Sequence, residues 1–292
     1  MVECVPNFSE GRDLTKIERI IDAFRAKEQV RLLDYSWDVD HNRTVATIVG
    51  EPQAVKKAVI EAVGVAVQTI DLTAHKGQHP RVGAVDVVPL IPLKNMHIEE
   101  ADELAKEIGR ELAEKYNLPI FFYEESATAE HRKNLAAIRK GEFEGLSQKM
   151  QLPQWKPDAG PHKPHPTAGA TVVGARKPLI AFNVNLNTAN FEIADKIAKK
   201  IRFTGGGLRY VKAMGIDLKE KGMMQVSMNL TDYTKTSVYQ VVEMIRFEAK
   251  RYGVTIAGCE LVGLIPLQAA LDTAAYYLGM EELGADRVIN EQ

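Results

Sequence analysis

The octet Asp86-Val-Val-Pro-Leu-Ile-Pro-Leu93 is written a second time in this chain, as Glu260-Leu-Val-Gly-Leu-Ile-Pro-Leu267. Val88/Val262, Leu90/Leu264, Ile91/Ile265, Pro92/Pro266 and Leu93/Leu267 are identical. Short apolar runs of this kind read as buried strands. A self-similar strand in each half of a 292-residue chain restricts the fold to two copies of one supersecondary unit.

The pattern on either side of each octet agrees. In the first half, strands are expected at Val2–Val5, Val30–Trp37, Arg43–Val49 and Val85–Leu90, with helices at Leu14–Ala26 and Pro52–Ile70. Pro52 opens its helix where proline costs no hydrogen bond. A helix at Ile98–Tyr116 and a strand at Ile120–Tyr123 follow. In the second half, strands at Leu179–Leu186, Leu208–Ile216, Met224–Leu230 and Val254–Val262 alternate with helices at Phe191–Ile201 and Thr236–Tyr252, before a last helix from Leu267. The order βαββαβ thus occurs twice. It predicts an α/β (α+β) protein made of two duplicated ferredoxin-like subdomains, residues 1–178 and 179–292, with a ligand cleft between them.

Composition narrows the function. Apolar residues make up 45% and charged residues 26% of the chain, the balance of a soluble globular protein. The net charge of −2 is not that of a nucleic-acid binder and gives no general attraction to anionic membranes. No segment reads as a membrane span or a secretory leader. Cys4 and Cys259 both sit in apolar, strand-like segments and are expected as buried small hydrophobes in a reducing compartment, so the protein is expected in the cytoplasm.

The chemistry concentrates before the first octet, in His75-Lys-Gly-Gln-His-Pro-Arg81. Pro80 biases His79 toward extended backbone, so the ring is presented from a loop at the mouth of a buried strand. A side chain that titrates near neutrality in that position is a candidate proton-transfer group, although a solvated turn fits the same residues. His75 and His79 have zinc-ligand spacing only on a helix, which Gly77 and Pro80 oppose, so no metal is expected. Asp34, Asp38, Asp40, His41, Asn42 and Arg43 form a turn cluster whose Asn42 and Arg43 are candidates for substrate contact. Thr204-Gly-Gly-Gly-Leu-Arg209 follows a helix and precedes a strand, which reads as a helix stop rather than a phosphate loop. Leu152–Gly169, with Trp155, five prolines and two glycines, is either an inter-domain linker or a loop laid over a surface or ligand.

Several blocks together resemble the formiminotransferase domain family. They are Val2–Gly11, Asn42-Arg-Thr44, His79-Pro-Arg81 with Gly83 and Asp86, Trp155–Ala170, Gly174–Lys177, Ile180–Asn183, and Leu261–Gly263 with Pro266-Leu267. The resemblance implies transfer of a formimino group from N-formimino-L-glutamate to N5 of tetrahydrofolate, a co-substrate, without a metal. The family's catalytic histidine falls on His79. Its folate-binding loop falls on Gly160, Pro161, His162, Lys163, Pro164, His165, Pro166, Thr167, Ala168 and Gly169, with His162, Lys163 and His165 where animal members carry other residues. The family also implies pterin binding between the two subdomains and a homodimer. Animal members carry a following cyclodeaminase domain, so a separate cyclodeaminase is expected downstream of this chain.

The residues suit that reaction independently. One amine adds to an amidine carbon and another leaves, and a single imidazole can take the first proton and give the second. Both substrates carry carboxylates, for which Arg43 and Arg81 are the favoured partners, with Lys163 and Arg209 as further cations. Transfer or cyclisation of a formyl group, from N-formylglutamate or a formyl-folate, fits the same residues. So does a folate-binding protein without catalysis.

Overall fold

Pro6 interrupts the first strand, and the interruption shapes one whole sheet. The structure, a computed structural model, describes residues 1–39, 41–77, 79–93, 95–218 and 221–289. Strands β1 (Val2–Cys4) and β2 (Asn7–Phe8) lie on either side of the proline, and both pair antiparallel with β4 (Arg43–Gly50) and β5 (Val85–Pro92). They therefore share one strand position. β3 (Val30–Asp38) pairs with the far side of β4. Between β2 and β5, Asn7 faces Val87 and Phe8 faces Val85, which makes Asp86 the extra residue of a bulge. Bulges beside functional sites re-aim a side chain in this way.

Helices α1 (Leu14–Asp22) and α2 (Pro52–Thr69) cover one face of this sheet. Asp13 caps α1 by accepting from the Thr15 and Lys16 amides. Helix α3 (Ile98–Tyr116) joins them and ends on Asn117 in the left-handed region, φ 55°. β6 (Ile120–Phe122) and β7 (Thr171–Ala175) then extend the sheet parallel, with Val87 opposite Val172.

The stretch after β6 folds back over the opposite face. Helices α4 (Leu135–Arg139) and α5 (Glu142–Lys149) pack Ile138, Leu146 and Met150 against Val87, Phe121 and Val172. β5 is thus buried on both faces, which explains its unbroken apolar run. The segment 152–169 is not a linker. Asp158 N–H donates to the Ile120 carbonyl at 2.8 Å, and Trp155 packs edge-on to His131 at 4.7 Å with Lys149 Nζ 3.9 Å from its centroid. The chain returns from it into β7, inside a first unit that spans Met1–Arg176.

The second unit, Lys177–Gln292, has one antiparallel sheet. Its strands are β8 (Ile180–Leu186), β9 (Val211–Leu218), β10 (Met223–Leu230) and β11 (Ile256–Val262), in the order β11-β8-β10-β9. Helices α6 (Phe191–Ile201) and α7 (Val238–Lys250) cover one face, and α8 (Leu267–Leu278) follows β11. With β1 and β2 counted as one position, the antiparallel part of the first sheet and the whole second sheet run fourth, first, third, second, and β7 and β6 extend the first sheet beyond its fourth strand. Asp86 and Glu260, the heads of the duplicated octets, stand on the fourth strand of each. The helix stop expected at Thr204–Gly207 is present, with Gly206 at φ 86°.

Cys4 is buried, as expected, but Cys259 is exposed. The difference arises because β11 is an edge strand, most of whose residues reach the surface. No helix among the described residues is long and apolar enough to cross a membrane.

Candidate active site

The site is assembled where three loops of the first unit meet at Asn42. Asn42 is buried and left-handed, φ 51°, at the turn into β4. Its Oδ1 accepts from the Gly11 amide at 2.8 Å, and its Nδ2 donates to the Lys76 carbonyl at 3.0 Å. Its own carbonyl lies 3.0 Å from His75 Nε2. The approach is too close for side chains on two neighbours. A Cβ on Gly11 would stand 2.2 Å from the Asp38 carbonyl oxygen, and one on Gly77 2.3 Å from that of His41. Asn42, expected as a ligand contact, therefore has both side-chain groups committed to the scaffold.

His75 is held at both ring nitrogens. Nδ1 accepts from Arg81 Nε at 3.2 Å, so Nε2 carries the hydrogen given to Asn42, and burial pushes the pKa of the ring down. Arg81 is only 4% exposed and uses every donor it has. Besides Nε, its Nη1 reaches Glu142 (2.6 Å) and Glu144 (2.9 Å), and its Nη2 reaches Glu144 (2.6 Å) and the His75 carbonyl (3.3 Å). A ligand carboxylate at Arg81 has to displace one of these glutamates.

His79 lies beyond Arg81, its side chain 14% exposed. Arg43 Nη1 stands 3.2 Å from both ring nitrogens. Asp86 Oδ2 is 3.9 Å from Nε2, too far for a hydrogen bond. That oxygen is already held by Arg139 through Nε at 2.9 Å and through Nη2, and Oδ1 accepts the Val82 amide at 2.9 Å. Burial, then Arg43 and Arg139, push the His79 pKa down to about 2. The resident form is a neutral imidazole whose protonation is opposed as long as the site stays buried and Arg43 faces the ring.

The 160–169 loop is fastened at its end. The Thr167 and Ala168 carbonyls accept the Leu72 and Ala84 amides at 2.8 and 2.9 Å, and Ala170 N–H donates to Val82 at 2.9 Å. His165 Nδ1 accepts the Ala168 amide at 3.0 Å, and Gly160 and Gly169 take φ of 84° and 67°. Gly160, His162, Lys163 and Pro166 are exposed, while Pro161, Pro164, His165 and Thr167 are half-buried and Ala168 and Gly169 are buried. The loop thus anchors beside the strand entry that follows His79. The turn cluster is structural in part: Asp38 Oδ1 accepts the His41 amide at 2.6 Å. Asp40 and Gln78 lie outside the described residues.

Sequence reasoning did not single out Arg139, Glu142 or Glu144, and it noted Asp86 without a role. The head of the duplicated octet was a signal for Asp86. Arg139 sits in a stretch without strong periodicity and carried none. Among the described residues, no group of three or more His, Cys, Asp or Glu could hold a metal.

The sequence matches known proteins nearly end to end. The family model described as "Formiminotransferase domain, N-terminal subdomain" matches residues 1–176, and that described as "Formiminotransferase domain" matches residues 181–291. The chain is 47% identical to the glutamate formimidoyltransferase of Streptococcus pyogenes serotype M1, covering 100% of this chain and 97% of that protein. It is 44% identical to the glutamate formimidoyltransferase of Thermoplasma acidophilum, with the same coverage of 100% and 97%. The formimidoyltransferase-cyclodeaminase of Mus musculus is also 44% identical, and there 97% of this chain covers 53% of the longer protein. On two family models that between them take in nearly every residue, the chain belongs to the formiminotransferase domain family.

Proposed function

We propose that this chain transfers the formimino group of N-formimino-L-glutamate to N5 of tetrahydrofolate, giving 5-formiminotetrahydrofolate and L-glutamate. The observation that carries the mechanism is a neutral, mostly buried imidazole at His79, ringed by arginines. N5 adds to the amidine carbon, a C–N bond forms, and His79 takes the proton that N5 loses. The imidazolium then gives that proton to the glutamate nitrogen as the old C–N bond breaks, so the ring returns to its starting state. Arg43 takes a substrate carboxylate. Arg81 and Asn42 hold the loops in place, and residues 160–169 contact the folate.

The strand order shared by the antiparallel part of the first sheet and the second sheet supports reading both units as ferredoxin-like. The same reading carries a cytoplasmic homodimer with small-molecule partners, and tetrahydrofolate as co-substrate without a metal. A turnover assay with N-formimino-L-glutamate and tetrahydrofolate tests it, with N-formyl-L-glutamate as the competing donor. Glutamate release and folate modification with the formimino donor are expected. Consumption of the formyl donor alone, or folate binding without transfer, rejects it.

A further inference from the structure

Three arginines surround the imidazole of His79, and they differ in what occupies their donors. Arg81 is saturated by His75, Glu142 and Glu144. Arg139 is bound to Asp86. Arg43 forms no ion pair among the described residues, and its side chain bonds only to His79. Its Nη1, 3.2 Å from both Nδ1 and Nε2, lies on the plane that bisects the ring. A cation there opposes protonation at either nitrogen. Its Nε and Nη2 have no protein acceptor among the described residues. A planar donor fork therefore stands open beside a ring that the same group caps.

We propose that Arg43 senses the donor. Its guanidinium caps the imidazole of His79 until a carboxylate of the incoming donor draws the fork away, so that proton transfer begins only with the donor seated. The identity of that carboxylate, part of an N-substituted amino dicarboxylate, rests on the functional reading above. Donors are then selected by release of the base as well as by affinity.

The other charged groups facing the ring do not supply this control. Asp86 on β5 is 3.9 Å away with both oxygens engaged, and Arg139 on α4 is its partner. The His41 ring at the β3–β4 turn is edge-on at 6.4 Å and faces Asp38 at 3.0 Å. Arg81 and His75, on the same loop as His79, are bound to each other, and Glu142 and Glu144 answer Arg81.

The test is the titration of the His79 ring by NMR on the full chain, with and without N-acetyl-L-glutamate, which has both carboxylates and an unreactive amide. Without it, the ring stays neutral at every pH where the chain is folded. Saturation raises its midpoint, because an anion now offsets Arg43 while burial and Arg139 continue to hold the ring down. Arg43→Gln raises the midpoint without ligand, and N-acetyl-L-glutamate moves it no further. The proposal is overturned by a ring that titrates near its ordinary value in the free, unaltered chain, or by a midpoint that ignores saturating ligand. Absence of N-acetyl-L-glutamate binding, followed by calorimetry, overturns it too, as does an unchanged midpoint in the variant. The measurement on the unaltered chain needs no variant to fold. Failure of the turnover assay would reject the reaction assigned above and leave a ligand-dependent titration standing.

Discussion

Arg139 Nε meets Asp86 Oδ2 at 2.9 Å, joining a helix that covers the sheet to the bulged residue of its central strand. Asp86 is 1% exposed, so its charge is tolerable only because Arg139 and the Val82 amide answer it. Arg139→Ala leaves a buried carboxylate without its cation and should cost about 3–5 kcal/mol of stability in urea unfolding. Adding Asp86→Asn to that variant should recover a large part of the loss. Equal stability of the single and double variants would show that the pair is not coupled.

His79→Ala should keep folate binding and reduce turnover by about 10²–10⁴-fold, the usual contribution of a general acid/base group. Single-turnover transfer with saturating substrates measures the chemical step directly. An unchanged rate there removes His79 from the reaction.

Stability should fall as the solution is acidified below pH 6.5. His75, His79 and His165 all have folded pKa values below their ordinary 6.5, His79 furthest at about 2. The unfolded chain then binds protons that the folded chain refuses, so stability present above 6.5 is lost on descent. Each such histidine contributes up to about 1.4 kcal/mol per pH unit. Glu144 and Asp232, whose pKa values lie below 4.5 and 3.8, act in the same sense but only at lower pH. Glu3, raised by burial, acts in the opposite sense above 4.5. Comparing wild type with His79→Gln cancels these shared contributions. The variant should show a shallower slope between about pH 5 and 6.5, and parallel curves would contradict a depressed His79.

Gly83→Ala tests the joint between the His79 loop and the 160–169 loop. A Cβ there would stand 1.9 Å from the Ala170 carbonyl oxygen, a backbone atom that cannot swing aside. A loss of about 3 kcal/mol or more is expected from that overlap. Gly206→Ala, with no neighbour within 4 Å but φ 86°, should cost only about 1 kcal/mol. Thermal unfolding of the two variants ranks them, and a reversed order would refute the packing described here.

Local patterns were enough to read most of the elements. Periodicity and caps located α3 from Ile98 to Tyr116 and α6 from Phe191 to Ile201 at their observed bounds. The duplicated octet pointed to a duplicated unit, but only the first copy is a buried strand; in the second, Glu260, Leu261 and Val262 end β11 with exposed side chains and Leu267 opens α8. β2 was missed because two residues carry too little alternation to register, and β7 because it is buried on both faces and does not alternate. α4 and α5 were missed because their helical signal is short and their burial depends on a sheet face formed by distant strands. The site was legible at His79, through the proline that follows it and the cations around it. It was not legible at Arg139, Glu142 and Glu144, whose partners Asp86 and Arg81 lie more than fifty residues away. Arg81 and Asn42 were recognised as belonging to the site, but sequence could not show that their donors and acceptors are consumed by the protein.

The two octets also record a divergence in how one acid is housed. In the first unit, α4 supplies Ile138 to the core under the sheet and the next residue, Arg139, to Asp86. Hydrophobic anchorage and charge compensation are therefore adjacent on one short helix, and a deletion that removes either removes both. In the second unit Glu260 is exposed on an edge strand, where water solvates its charge and no buried cation is needed. Glu260 Oε2 accepts from the amides of Asn183 at 3.1 Å and Gln225 at 3.3 Å. Amides can be exchanged one at a time at small cost, whereas Asp86 and Arg139 must change together. The first copy is constrained as a pair, and the second is open to drift residue by residue.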